Sequence, residues 1–158
     1  MSDIATLWID QGGDWLVDGS SLATDDGLQT AVVLSLFTDR LAESGDVLPD
    51  AGASGSDGAG RRGWWGDAYA DQPGDLVGSR LWLLDREKVR TQVLRRAEEY
   101  AAEALQWLVA DGVASAVNVT AELVAAPAPR GTLGLQVVVT RSARPVARFR
   151  FETFWKGA

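Results

Sequence analysis

Between residues 113 and 155 apolar side chains recur at every second position three times in succession, and no other feature restricts the fold as much. Val113, Val117, Val119, Ala121 and Leu123 make the first series, Leu133, Leu135, Val137 and Val139 the second, and Ala147, Phe149, Phe151, Thr153 and Trp155 the third. A period of two marks a strand with one face buried. Pro127 and Pro129 interrupt the chain after the first series, and Ser142-Ala143-Arg144-Pro145 turns it after the second. Three such strands with short connections predict an antiparallel meander with one buried face.

That face needs a cover, and the preceding sequence supplies helices. From Thr91 to Asp111 the residues Val93, Ala97, Tyr100, Ala101, Ala104, Leu105 and Leu108 fall on one stripe, with Arg95, Arg96, Glu98, Glu99 and Glu103 mostly opposite and Gly112 as a stop. A shorter helix is predicted over 76–84. Another runs from Leu28 to Thr38, entered through Thr24-Asp25-Asp26-Gly27 as an N-cap with acids in the first turn. It is apolar nearly all round, which predicts burial on more than one side. Upstream, Ala5 to Ile9 and Asp14 to Val17 flank Gln11-Gly12-Gly13 as a hairpin. Helices precede strands instead of alternating with them, so the class is α+β: two or three helices packed on an antiparallel sheet with a C-terminal three-stranded meander. At 158 residues one core is expected, and 1–158 is taken as a single domain.

Periodicity fails from Leu41 to Gly74. Its Ala51–Gly63 portion (AGASGSDGAGRRG) holds too little apolar surface to offset the entropy of ordering it, and is expected to be a flexible excursion. It ends in Gly63-Trp64-Trp65-Gly66-Asp67, which is too aromatic for a mere linker.

The chain has no His and no Cys. Triads built on His, thiol nucleophiles and the usual zinc sites are therefore excluded, and disulfides with them. The N-terminus lacks the pattern of a signal peptide, and no apolar run reaches the length of a membrane span. Residues 1–75 carry 14 acids and 3 bases, whereas residues 130–158 carry 1 acid and 6 bases. A net charge of −7 argues against nucleic acid. The asymmetry suits docking on copies or partners of complementary sign, or mutual neutralisation within one fold.

The Gly-rich stretch lacks the Gly-Lys-Ser/Thr of a phosphate loop. Asp14, Asp18, Asp25 and Asp26 lack the spacing of a calcium loop and read as turn and cap residues. Glu43, Asp67 and Glu103 are available acids without the context of a glycosidase pair. No catalytic residue, cofactor site or metal site is expected. Arg40, Arg61, Arg62, Arg80 and Arg86, near tryptophans and acids, suit interface anchors or an internal network fixing the loop to the core. Trp64 and Trp65 point to opposite sides of an extended backbone, one inward and one toward a partner or, in a binding module, a sugar. Arg148, Arg150 and Glu152 share one face of the last strand, with Phe149, Phe151 and Trp155 on the other. At a sheet edge this strand could pair with another chain, or its charges could prevent that pairing.

The runs Leu28 to Arg40, Arg62 to Asp67, Gly78 to Leu84 and Ala104 to Val113 resemble the gene-product-46 family of Mu-like phages and prophages over nearly the whole chain. The resemblance implies a non-enzymatic baseplate wedge component, distantly similar to the wedge proteins on which contractile tail sheaths begin to polymerise. Its expected partners are other wedge proteins and the sheath protein, with several copies in the virion tail after assembly in the host bacterial cytoplasm. Thr38-Asp39-Arg40 and Gly78-Ser79-Arg80-Leu81 stand where those relatives place a loop arginine and a Gly-Ser-x-Leu segment. The last strand, Phe149 to Trp155, is implied to join a sheet with sheath subunits. Arg40, Arg61, Arg62, Trp64, Trp65, Asp67, Arg80, Arg148, Phe149, Arg150, Phe151 and Trp155 are the expected protein-contact residues. The alternative from another class is a tail-associated cell-wall hydrolase or glycan-binding module.

Overall fold

Short paired strands open the chain. The computed structural model describes residues 3–9, 12–25, 28–49, 60–72, 74–85, 87, 91–124, 132–142 and 144–154, with backbone only at 8, 9, 12, 153 and 154. In the first segment β1 (Asp3–Ile4), β2 (Thr6–Ile9), β3 (Gly12–Trp15), β4 (Val17–Asp18), β5 (Ser21–Leu22) and β6 (Thr24–Asp25) pair as β1 with β6, β2 with β3 and β4 with β5, all antiparallel. The predicted hairpin is the β2–β3 pair, with Thr6 opposite Trp15. The β4–β5 pair, closed by Gly19-Ser20, was not predicted, because four residues are too few to show alternation.

Thr24 and Asp25 lie in β6 and so do not begin the next helix. Helix α1 (Gln29–Phe37) is capped by Leu28 without a side-chain bond, yet the Asp25 carboxylate reaches its first turn and accepts the Thr30 N–H at 2.9 Å. Thr30 is itself buried. Its hydroxyl donates to the Ile4 carbonyl at 2.7 Å and accepts the Thr6 N–H at 3.0 Å, so one side chain ties α1 to the ribbon. Val32, Val33 and Leu36 are buried, but Leu34 is half exposed, so the helix is not enclosed on all sides.

The stripe expected to run unbroken to Asp111 is divided into α2 (Thr91–Ala104) and α3 (Trp107–Ala110). At the break the Leu105 N–H is shared between the Ala101 and Ala102 carbonyls, and Gln106 bonds back to Glu103 at 3.1 Å. This tightening to an i→i+3 pattern is characteristic of helix ends. Where a helix over 76–84 was expected, only Leu81–Leu84 is helical, as one 3₁₀ turn. All four of its side chains are buried.

The meander forms as predicted. Strands β7 (Ala116–Leu123), β8 (Thr132–Arg141) and β9 (Arg144–Phe154) lie in the order β7-β8-β9, antiparallel, with Val119 opposite Val137 and Val137 opposite Phe149. Val117, Val119, Ala121, Leu133, Leu135, Val137, Val139, Phe149 and Phe151 share the inner face. They join Leu28, Val32, Val33, Leu36, Leu81–Leu84, Val93, Ala97, Tyr100, Ala101, Leu105 and Leu108 in one core. The class is mixed α+β.

Candidate functional site

Arginines tie the described residues 38–49 and 60–62 to the core. Backbone pairing begins this: Arg40 N–H donates to the Ser79 carbonyl at 3.0 Å, Ser79 N–H to the Thr38 carbonyl at 2.8 Å, and Ala42 N–H to the Arg61 carbonyl at 2.9 Å. The buried Ser79 hydroxyl donates to the Leu36 carbonyl at 2.5 Å. Gly78 permits this contact. Its φ is +96°, and a Cβ there would stand 2.3 Å from the Thr38 carbonyl oxygen. The same approach prevents 76–84 from being continuous helix.

Around this splice the guanidinium groups find partners within the chain. Arg80 is mostly buried and contacts Glu103 on α2 through Nη2 at 2.7 Å and Nε at 3.2 Å. Its Nη1 meets Asp46 at 3.2 Å and Glu43 at 3.3 Å, and its plane lies 4.7 Å from the Tyr100 ring centroid. Burial alone would lower the Arg80 pKa, but the hydrogen bonds and charges of Glu103 and Asp46 outweigh it and hold the group above its ordinary value. Arg40 reaches the other Glu103 oxygen at 3.2 Å. Arg61 donates to the Ala42 carbonyl through Nε and Nη2. Arg62, at φ +51°, donates to Asp39 at 2.8 Å and lies 4.4 Å over the Trp82 ring, whose Nε1 donates to the Arg40 carbonyl at 2.9 Å. Thus Glu43 and Glu103, unassigned acids in the sequence, are counter-charges of a network. Arg86 lies outside the described residues.

Beyond the network the chain turns outward. Trp65–Tyr69 form a 3₁₀ turn with no buried residue. Both indoles are exposed, Trp64 about half and Trp65 at 76%, with ring centroids 5.6 Å apart; Tyr69, at 79%, meets Trp65 edge-on at 6.2 Å. Neither tryptophan is the inward one of the pair. At Gly66 a Cβ would lie 2.3 Å from the Trp64 ring, so a side chain there would have to displace that exposed indole. Asp67 turns its Oδ1 to the Val77 N–H at 3.1 Å. Tyr69 and Val77, unnoticed in the sequence, belong to this surface; the aromatic at four residues from Trp65 was the available signal.

The last strand is apart from both. Phe151 is buried and meets Phe37 of α1 edge-on at 5.3 Å, while Phe149 stacks beside it at 6.4 Å. Arg148 and Arg150 are exposed on the outer face, Arg150 with Glu122 at 3.0 Å and Glu152 at 3.4 Å. Trp155 lies outside the described residues. The sheet's two edges differ. On β7 the Ala121 N–H is met by Glu98 of α2 at 2.9 Å, whereas among the described residues no strand pairs with the outer edge of β9. Among the described residues no group of three His, Cys, Asp or Glu side chains is placed to hold a metal, and no helix is long and apolar enough to cross a membrane.

The arginines of the network pair within the chain, while Trp64, Trp65 and Tyr69 face outward. Residues 28–146 match the family described as phage protein GP46, and the chain belongs to that family. It is 46% identical over 157 residues to "Baseplate protein gp46" of Escherichia phage Mu, an alignment covering 99% of each chain. It is also 44% identical over 121 residues to "Mu-like prophage FluMu protein gp46" of Haemophilus influenzae, covering 77% of this chain and 76% of that one.

Proposed function

We propose that this chain is a structural, non-enzymatic subunit of a phage tail baseplate. The observation that carries the proposal is the alignment, end to end, with a protein of phage Mu named for the baseplate. The shared core from Leu28 to Phe151 supports taking 1–158 as one wedge-like domain. The finer role is a wedge component that anchors or nucleates the tail sheath, present in several copies, assembled in the host cytoplasm and retained in the virion tail. Its contacts to other wedge proteins run through the exposed Trp64–Tyr69 turn, and its contact to sheath through the uncovered edge and outer face of β9. Arg40, Arg61, Arg62 and Arg80 serve these contacts by fixing the turn to the core.

Complementation tests this. Phage lacking the gene should yield no complete baseplates by electron microscopy, and the wild-type chain should restore them. Trp65→Ala should give a soluble, folded chain that fails to restore. Sustained lysis of purified peptidoglycan that disappears on changing one carboxylate would replace the proposal with the hydrolase reading.

A further inference from the structure

The short strands β1 to β6 converge on a three-way junction. Ala5 N–H donates to the Ala23 carbonyl at 2.9 Å, Ala23 N–H to the Leu16 carbonyl at 2.8 Å, and Leu16 N–H to the Ala5 carbonyl at 3.0 Å, closing a ring of bonds. The pairs Ile4–Thr24, Thr6–Trp15 and Val17–Leu22 flank that ring, one in each arm. Opposed residues share a face and neighbours along a strand alternate, so these six side chains lie on one side and Ala5, Leu16 and Ala23 on the other. Where α1 meets the ribbon the second side is the inward one: Ala5 is buried, and Asp25, next to Thr24, accepts the Thr30 N–H at 2.9 Å. The first side turns away. Ile4, Trp15, Val17 and Leu22 are exposed on it, Trp15 at 63% and Val17 at 66%.

A sheet that ends at water keeps its apolar side in and its polar side out. Here the apolar side is the outward one, the arrangement of a face that is covered by another molecule. Charge indicates what covers it. Residues 1–39 hold seven acids and neither Lys nor Arg. Asp3, Asp14 and Asp18 are exposed on the strands that carry the face. Among the described residues every ion pair uses an acid from Asp39 onward, so these three meet no cation within the chain. We infer that the outward face of β1–β6 docks a different protein through an apolar patch bordered by lysines and arginines. Trp15, the largest of the four exposed apolar side chains, is the anchor, and the carboxylates at the rim select and orient the partner. A second copy is disfavoured. At net charge −7 two chains repel, and on the arginine-bearing strand β9 Arg150 is already paired with Glu122 and Glu152. The same charge turns away nucleic acid and anionic membranes.

The inference rests on the reading that this chain is a tail subunit, and it adds a contact separate from the Trp64–Tyr69 turn and from β9. The photo-crosslinker p-benzoylphenylalanine is placed at Val17 of the full, tagged chain, and cells producing the complemented phage are irradiated. The joined peptides are then identified by mass spectrometry. The product should link Val17 to another phage protein, at a surface segment carrying Lys or Arg. Asp14→Lys with Asp18→Lys should lower its yield at least about tenfold, since like charges then face each other. Trp15→Ala should do the same by removing the anchor. All three positions are exposed, so the purified variants should melt close to wild type. Asp14→Asn with Asp18→Asn adds no positive charge, keeps the acceptor that holds the Trp15 N–H at 2.8 Å, and should lower the yield by a smaller factor. No product, a product joined only to copies of this chain, an attached segment without Lys or Arg, or a yield unchanged by the charge reversal would overturn the inference. Each of these results leaves the baseplate assignment standing. That assignment fails on a different observation, the absence of the wild-type chain from purified tails.

Discussion

The Arg80 guanidinium grips Glu103 with two nitrogens, Nη2 at 2.7 Å and Nε at 3.2 Å, and this pair joins the segment after Gly78 to helix α2. With Asp46 and Glu43 on its other side, Arg80 is the point where the 41–49 segment, the Gly78 splice and the helix meet. Together with Arg40, Arg61 and Arg62 it ties the residues flanking the exposed Trp64–Tyr69 turn to the core.

Replacing Arg80 by Ala should destabilise the fold by about 2 to 4 kcal/mol in urea denaturation, below a fully buried pair because Glu103 keeps some solvent contact. Arg80→Lys should recover only part, since a single ammonium cannot span Glu103 and Asp46 in the same geometry. The sign of the pH dependence follows from the raised pKa. A group raised on folding contributes fully below its unfolded value and loses the contribution only as pH climbs through the folded value, and here both are strongly alkaline. The stability difference between wild type and Arg80→Ala should thus stay constant from about pH 7 to about pH 10.

Two glycines with similar backbones separate strain from contact. Gly74 has φ +89° and open space where a Cβ would point, whereas at Gly78 that Cβ would meet the Thr38 carbonyl. Gly74→Ala should cost about 1 kcal/mol and Gly78→Ala at least about 3 kcal/mol in thermal or urea unfolding. Equal costs would show that the splice between 38–40 and 78–80 tolerates separation.

Thr30→Val keeps the shape of the side chain and removes the hydroxyl that bridges Ile4 and Thr6. The Thr6 N–H then loses its acceptor, so a loss of about 1 to 2 kcal/mol is expected. Hydrogen exchange should show where it falls. Protection should drop at Thr6 and along β2 and β3, while amides of β8 keep theirs.

The strands of the meander were legible because a half-buried sheet imposes a period of two on ten residues at a time. Val137, Val139, Phe149 and Phe151 reveal their face with no knowledge of neighbours. The helix stripe was equally legible, but not its break at Leu105, which depends on a shared carbonyl and leaves the pattern of apolar residues unchanged. In the described residues 41–49 and 60–62, by contrast, the arrangement depends on Arg40, Arg61, Arg62 and Arg80 binding acids and carbonyls about 19 to 63 positions away in sequence, and no local pattern records such pairs. For the same reason Asp67 was recognisable as a motif residue and not as the acceptor of a backbone N–H. Its geometry requires Val77, brought beside it by the turn.

The proposed sheath contact makes its own demand on β9. Truncation after Arg150 would be a poor probe, because it removes Phe151, a buried residue packed on Phe37, and would unsettle the core together with the edge. Arg148→Glu with Arg150→Glu leaves the inner face untouched and reverses two exposed charges on the outer one. Exposed changes of this kind alter stability by about 0.5 kcal/mol or less, although Arg150 gives up its pairing with Glu122 and Glu152. The purified double variant should therefore melt close to wild type. If a sheath subunit adds its strand to this edge, complementing phage should carry baseplates but no extended sheath in electron micrographs. Tails of normal length with assembled sheath would show that β9 does not make this contact, and would leave the Trp64–Tyr69 turn as a remaining proposed docking surface.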